Sequence, residues 1–234
     1  MKFSIPVTCP ACDKEFSLEI SGSDIPDYKQ CPKCETRSYN LWPLGNLVTI
    51  LLMERAKQEL ANGDVTVALL LSSMAVEGQM SWLFFKWKGL DSGKFLGNET
   101  LEVRKQWEDE WSTMRSIGKR MDELSRFLTK RPFDEFASMR KEVITPAIAG
   151  HDAATSIKEF FQRHFFEKRN AIVHYGEIDF QEADGERCLS LARVLLILFH
   201  AMEALRCDVM EETFRQEREE TRLSKQRSDE QLQS

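Results

Sequence analysis

Four cysteines fall into two pairs, Cys9-Pro10-Ala11-Cys12 and Cys31-Pro32-Lys33-Cys34, separated by residues 13–30. An i, i+3 pair in a tight turn lets two thiolates face one metal, and two such turns complete a tetrahedron. The spacing is that of a four-thiolate structural zinc site. A redox Cys-x-x-Cys usually stands alone beside a βαβ pattern, and disulfides are disfavoured in the cytosol. A second stretch with chemical potential is Phe160–Gly176. Placed on a helix, Phe161, Phe165 and Ile172 form an apolar stripe, while Arg163, Glu167, Asn170 and His174 fall at i, i+4, i+7 and i+11 on another face. Packing does not require a polar row that ends in a histidine. A lone histidine there would act simply as a cap favoured by the helix dipole.

The elements that must hold the cysteines read as short strands. Phe3, Ile5, Val7 and then Phe16, Leu18, Ile20 alternate with period two on either side of the first pair. The arrangement resembles a zinc ribbon over residues 1–40. About forty residues bury too little surface to fold alone, so Zn2+ held by Cys9, Cys12, Cys31 and Cys34 would supply the missing stability. Residues 1–40 carry five basic side chains (Lys2, Lys14, Lys29, Lys33, Arg37) and six acidic ones (Asp13, Glu15, Glu19, Asp24, Asp27, Glu35). A net charge of −1 is poor equipment for gripping phosphates, so the module is expected to be structural or to dock a partner.

From Leu41 onward the period changes to about 3.6. The pattern predicts a helix over Leu47–Leu60 stopped by Asn62-Gly63, then a nearly all-apolar one over Val65–Trp87 capped by Asp64 and broken at Gly89–Gly93. Glu99–Thr129 reads as a charged helical stretch interrupted near Gly118, and Pro132 and Pro146 bracket a shorter piece. Asp152 is the expected cap of a helix through about Val173, which Gly176 ends. A long helix should follow from Gln181 to about Phe214, then a charged, frayed extension over 215–234. Within the last helix, His200 lies amid Leu196, Phe199 and Met202 and reads as a core residue, and Cys188 and Cys207 read as buried small hydrophobes. His164 is weighed as a lesser candidate for the same cleft as His174. The stretch Gly89–Lys94 is one residue short of a phosphate-binding loop and follows no strand, so it is set aside.

Arg169-Asn170-Ala171-Ile172-Val173-His174 has the form R-N-x-x-x-H and resembles the signature of HEPN domains, all-helical nucleotide-associated and ribonuclease domains. The likeness covers about residues 44–212. It includes the Gly63-Asp64 turn that leads into a small-residue helix bearing Glu77, and the acidic turn and closing helix over Asp179–Leu205. Residues 98–150 are the least family-like part and read as an elaboration. The resemblance implies a mainly α, HEPN-like bundle over 41–214 with catalytic Arg169, Asn170 and His174. Metal-free RNA cleavage needs a base for the 2′-hydroxyl, an acid for the leaving 5′-oxygen and positive charge at the phosphorane. Histidine transfers protons near neutrality, an arginine fork matches phosphate oxygens, and Asn170 would orient the imidazole or bind substrate. Glu77 would support the site or simply pair with Arg169 or another base.

The chain has 234 residues, is 42% apolar and 30% charged, and carries a net charge of −6, which excludes wholesale disorder and coating of nucleic acid by bulk charge. Its longest apolar windows, Val65–Val76 and Val194–Phe199, fall short of the ~20 residues of a membrane span, and no secretory signal is expected at its start. The expectation is a cytoplasmic, membrane-free HEPN ribonuclease with a structural zinc ribbon, acting on RNA in toxin or antiviral defence biology. A partner such as an antitoxin or defence-complex subunit would accompany it. The alternative is a non-catalytic HEPN scaffold that binds RNA, nucleotide or a partner protein. Arg169 and His174 are five residues apart, about 140° around a helix, so one copy cannot aim both at one phosphate. A homodimer with a composite site across its two-fold axis is therefore also expected.

Overall fold

The computed structural model describes residues 2–8, 15–21, 29–30, 37–38, 42–92, 101–149 and 156–232, with side chains treated only between residues 48 and 219. Cys9, Cys12, Cys31 and Cys34 lie outside the described residues. Two short antiparallel pairs flank them. Strand β1 (Lys2–Thr8) pairs with β2 (Glu15–Ser21) in a register that sets Phe3 opposite Ile20, Ile5 opposite Leu18 and Val7 opposite Phe16. Strand β3 (Lys29–Gln30) pairs with β4 (Arg37–Ser38). Each Cys-x-x-Cys thus falls in the connection between two paired strands.

The rest of the described chain is helical. Helix α1 (Trp42–Ala61) turns at Gly63, whose φ of +85° a side chain would resist, into α2 (Val65–Asp91). The Asp64 carboxylate accepts a hydrogen bond from the Val67 amide at 3.0 Å and caps α2, as its position suggested. Helix α2 runs past a buried Gly89 and stops at Asp91, inside the Gly89–Gly93 stretch expected to break it. Two helices cover the next segment, α3 (Leu101–Thr113) and α4 (Ile117–Thr129). The interruption expected near Gly118 falls at Met114–Ser116, where Ser116 caps α4. Gly118 is inside α4, and a Cβ there would sit 3.2 Å from the Gln162 side-chain oxygen, so its smallness serves packing.

Helices α5 (Phe133–Ser138) and α6 (Lys141–Ala147) follow, the latter with Pro146 in its last turn. Helix α7 (Ile157–Phe161) starts under a cap from Ser156, whose hydroxyl accepts from the Glu159 amide; Asp152 lies outside the described residues. A π turn over Gln162–Phe166 joins α7 to α8 (Glu167–Tyr175). Helix α9 (Glu182–Leu232) runs far past Phe214, so the charged segment continues the helix.

One core joins these helices. From α2 it takes Leu69, Val76, Met80, Leu83 and Trp87, and from α9 Leu195, Leu198, Phe199 and Met202. Trp107, Trp111, Met121, Leu124, Phe133 and Phe136 belong to it as well, so the segment expected to be an elaboration packs into the same interior. Two helical segments, Val65–Asp91 and Glu182–Thr213, are long and apolar enough to cross a bilayer by composition, which the shorter apolar windows did not show. The central helix of a soluble bundle passes the same test.

Candidate functional site

The site is built on the continuous α7–π–α8 rod. In an α-helix Phe165 would lie 140° around from Phe160 and leave the core face. The π turn, in which the Glu167 amide donates to the Gln162 carbonyl five residues back, widens one turn. Phe160, Phe161, Phe165 and Phe166 are all buried as a result. Phe160 and Phe161 meet edge-on at 5.6 Å between centroids, and Phe165 and Phe166 at 4.8 Å. The π turn also corrects the simple helical reading of the polar row: Arg163 lies within it and is not in α-helical phase with Asn170 and His174.

Helix α8 keeps Ile172 inward and turns Arg169 toward α2. The Arg169 guanidinium lies 3.3 Å from the Glu77 carboxylate and donates to the Asn170 side-chain oxygen at 3.0 Å. Both side chains of the Arg169–Glu77 pair are partly shielded, while Asn170 and His174 are exposed. Glu77, Arg169 and Asn170 therefore meet, and His174 stands one turn beyond them beside Tyr175, with ring centroids 6.5 Å apart and nearly perpendicular. Asn170 stands one turn before an accessible imidazole, with the Arg169 fork one residue further back.

The end of α8 is held from several sides. Gly176, at φ +67°, donates to the Ala171 and Ile172 carbonyls and closes the helix. Beyond it the Thr66 hydroxyl donates to the Ile178 carbonyl at 3.3 Å, bringing the loop onto the start of α2. Asp184 accepts from the Gln181 amide at 3.1 Å and from the Lys168 ammonium at 2.6 Å, and the same ammonium lies 5.6 Å from the Phe180 ring. The Lys168 hydrogen bond holds the Asp184 carboxyl below its ordinary value, against the opposing pull of partial burial. Sequence reasoning missed this latch and also Tyr175, whose only signal was an aromatic residue immediately before the glycine stop.

The other candidates separate from the site. His164 lies on the π turn with its ring 4.8 Å from Phe160. Contrary to the core reading, the His200 side chain is 57% exposed, with Nδ1 3.8 Å from Glu203. It lies 100° around α9 from the buried Phe199, enough to reach solvent. Cys188 is buried, and burial pushes its thiol up to about 12, which leaves it inert at neutral pH; Cys207 is half-buried and shifted the same way. Among the described residues no cluster of three or more His, Cys, Asp or Glu is placed to hold a metal. No protein-family model, no curated protein and no solved structure matches the chain.

Proposed function

We propose that the chain is a HEPN-type endoribonuclease that needs no catalytic metal, with Arg169, Asn170 and His174 as its catalytic residues. The observation that carries this reading is the end of α8, where an arginine held by Glu77 and Asn170 stands one turn from an exposed histidine on a firmly capped helix. In the reaction, the ribose 2′-oxygen attacks phosphorus and its proton passes to an imidazole. The P–O5′ bond breaks, and a protonated imidazole gives the 5′-oxygen its proton. The products are a 2′,3′-cyclic phosphate and a 5′-hydroxyl. Arg169 stabilises the charge that builds on the phosphorane oxygens, and Glu77 is a positioning residue that aims it.

One imidazole per transfer is supplied if two copies pair about the end of α8, and we include that homodimer in the proposal. The apolar faces of the Phe160–Val173 and Leu189–Leu205 segments are used inside the chain and not in that pairing, since Phe160, Phe161, Phe165, Leu195 and Leu198 are already covered. The apolar groups left outside near the site are Met74, Val173, Tyr175 and Ile178. In the same reading the four cysteines hold a structural Zn2+: all the donors are thiols, and each pair sits between paired strands. The protein is read as cytoplasmic, with an antitoxin or defence-complex subunit as a possible protein partner. A non-catalytic scaffold is the second reading, and the engagement of Arg169 by Glu77 favours it.

The test is cleavage of single-stranded RNA by the full chain in EDTA, with analysis of the product ends. Cleavage giving cyclic phosphate ends, abolished by His174→Ala and by Arg169→Ala but kept by His200→Ala, is the expected result. Cleavage that survives His174→Ala in a folded protein overturns the catalytic assignment. Binding without any turnover leaves the scaffold.

A further inference from the structure

Tyr175 has no packing role in the bundle. It is 85% exposed, although a tyrosine normally buries its ring and leaves only its hydroxyl wet. It is also held in place. It is the last residue of α8, fixed by the Gly176 closure on one side and by the Thr66 and Lys168–Asp184 contacts of the following loop on the other. An exposed aromatic ring on a fixed backbone, edge-on to His174 at 6.5 Å, is a stacking platform beside the proposed proton-transfer group.

The surroundings define what can stack there. Exposed Glu177 and Asp179 follow directly in the loop, and their charge disfavours a phosphate at this place. Exposed Ile178 adds apolar surface in the loop just beyond the helix end. A neutral, flat, partly apolar group fits this chemistry, and a nucleobase is such a group. A base in a duplex has both faces occupied by its neighbours, so only an unpaired base can lie on the ring. We infer that Tyr175 is a stacking subsite for an unpaired base next to the scissile phosphate, and that it selects single-stranded RNA as the substrate. This inference rests on the ribonuclease reading and deepens it.

The experiment separates binding from cleavage. The full chain is titrated against a fluorescein-labelled 2′-O-methyl oligoribonucleotide, which lacks the attacking hydroxyl, as a single strand and annealed to its complement. The wild type should prefer the single strand. Tyr175→Ala should weaken single-strand binding by roughly ten-fold while Tyr175→Phe keeps it, as expected for one stacked base. Duplex binding should not change. Tyr175→Ala binding like the wild type, or weakening both forms equally, overturns the subsite. So does a wild type that binds no single strand. If Tyr175→Ala keeps binding but lowers the mass seen by light scattering, the ring is a contact between copies and the subsite is again overturned. Tyr175-dependent binding of the modified strand by a chain that fails to cut the unmodified one leaves the subsite standing and removes the ribonuclease reading instead.

Discussion

Lys86 is the most buried charge in the described helices, at 3% exposure, and its ammonium lies against Glu203 of α9 between the rings of Trp82 and Trp87. Burial pushes the Glu203 carboxyl up, but the Lys86 hydrogen bond and the nearby His200 ring outweigh it and hold the group below its ordinary 4.5. A carboxyl depressed on folding stabilises the protein above its unfolded value and loses that contribution as pH falls through the folded one. Asp184 acts in the same direction. The melting temperature should therefore hold from neutrality to about pH 4.5 and fall below it. Lys86→Met leaves Glu203 buried without its main partner and should cost about 3–5 kcal/mol, while Lys86→Met combined with Glu203→Leu should recover much of that. Chemical denaturation of the three proteins checks this. The Lys86–Glu203 pair spans two helices far apart in sequence and leaves no local signal. Glu77 with Arg169 was readable as a candidate pair because both stood out chemically within their own helices. The exposure of His200 was not, since hydrophobic neighbours along a helix do not say which side of their arc touches the core.

Helix ends were legible where a side chain or a glycine does the capping. Asp64, Gly63 and Gly176 act as their types and places implied. Two other glycines located breaks only to within a few residues: α2 ends at Asp91, two residues past Gly89, and α4 is capped by Ser116, two residues before Gly118. A glycine inside a pattern signals either a break or a close approach, and at Gly118 the Gln162 side chain approaches. The π turn was also invisible: two Phe-Phe pairs five residues apart fit neither the α nor the β period. Gly176 has the clearest consequence for the site. A Cβ there meets no neighbour, so the strain in Gly176→Ala comes from φ +67° alone. The substitution should cost about 1 kcal/mol, a fall of roughly 2–4 °C in melting temperature, and Gly176→Asn should cost less. Equal losses in both variants, measured by thermal denaturation, would show that the left-handed backbone is not the cause.

At the scale of the molecule, the helical class and the central place of α2 followed from apolar residues on nearly every face of its segment. The membership of residues 101–149 in the common core did not, because that stretch is charged and its buried Trp107, Trp111, Phe133 and Phe136 are sparse along the chain. The cysteine module was read from thiol spacing, a chemical signal independent of any core. It leads to a prediction with two readouts. Protein purified without added metal should contain one zinc per chain, and a Cys31→Ser/Cys34→Ser variant should contain none by elemental analysis. The helical circular dichroism of that variant should match the wild type, since the core among the described residues is built from the helices themselves, Met53 to Met202.

The π turn also fixes a matter of phase. A widened turn holds one residue more than an α turn while rotating the chain by nearly the same angle. Within Gln162–Phe166, then, the rod can lose a residue and leave Arg169 still facing Glu77. The same loss between Glu167 and Arg169 would rotate the arginine by about 100° and part it from its carboxylate. Length is negotiable upstream of the site in this rod, and the direction in which the site faces is not.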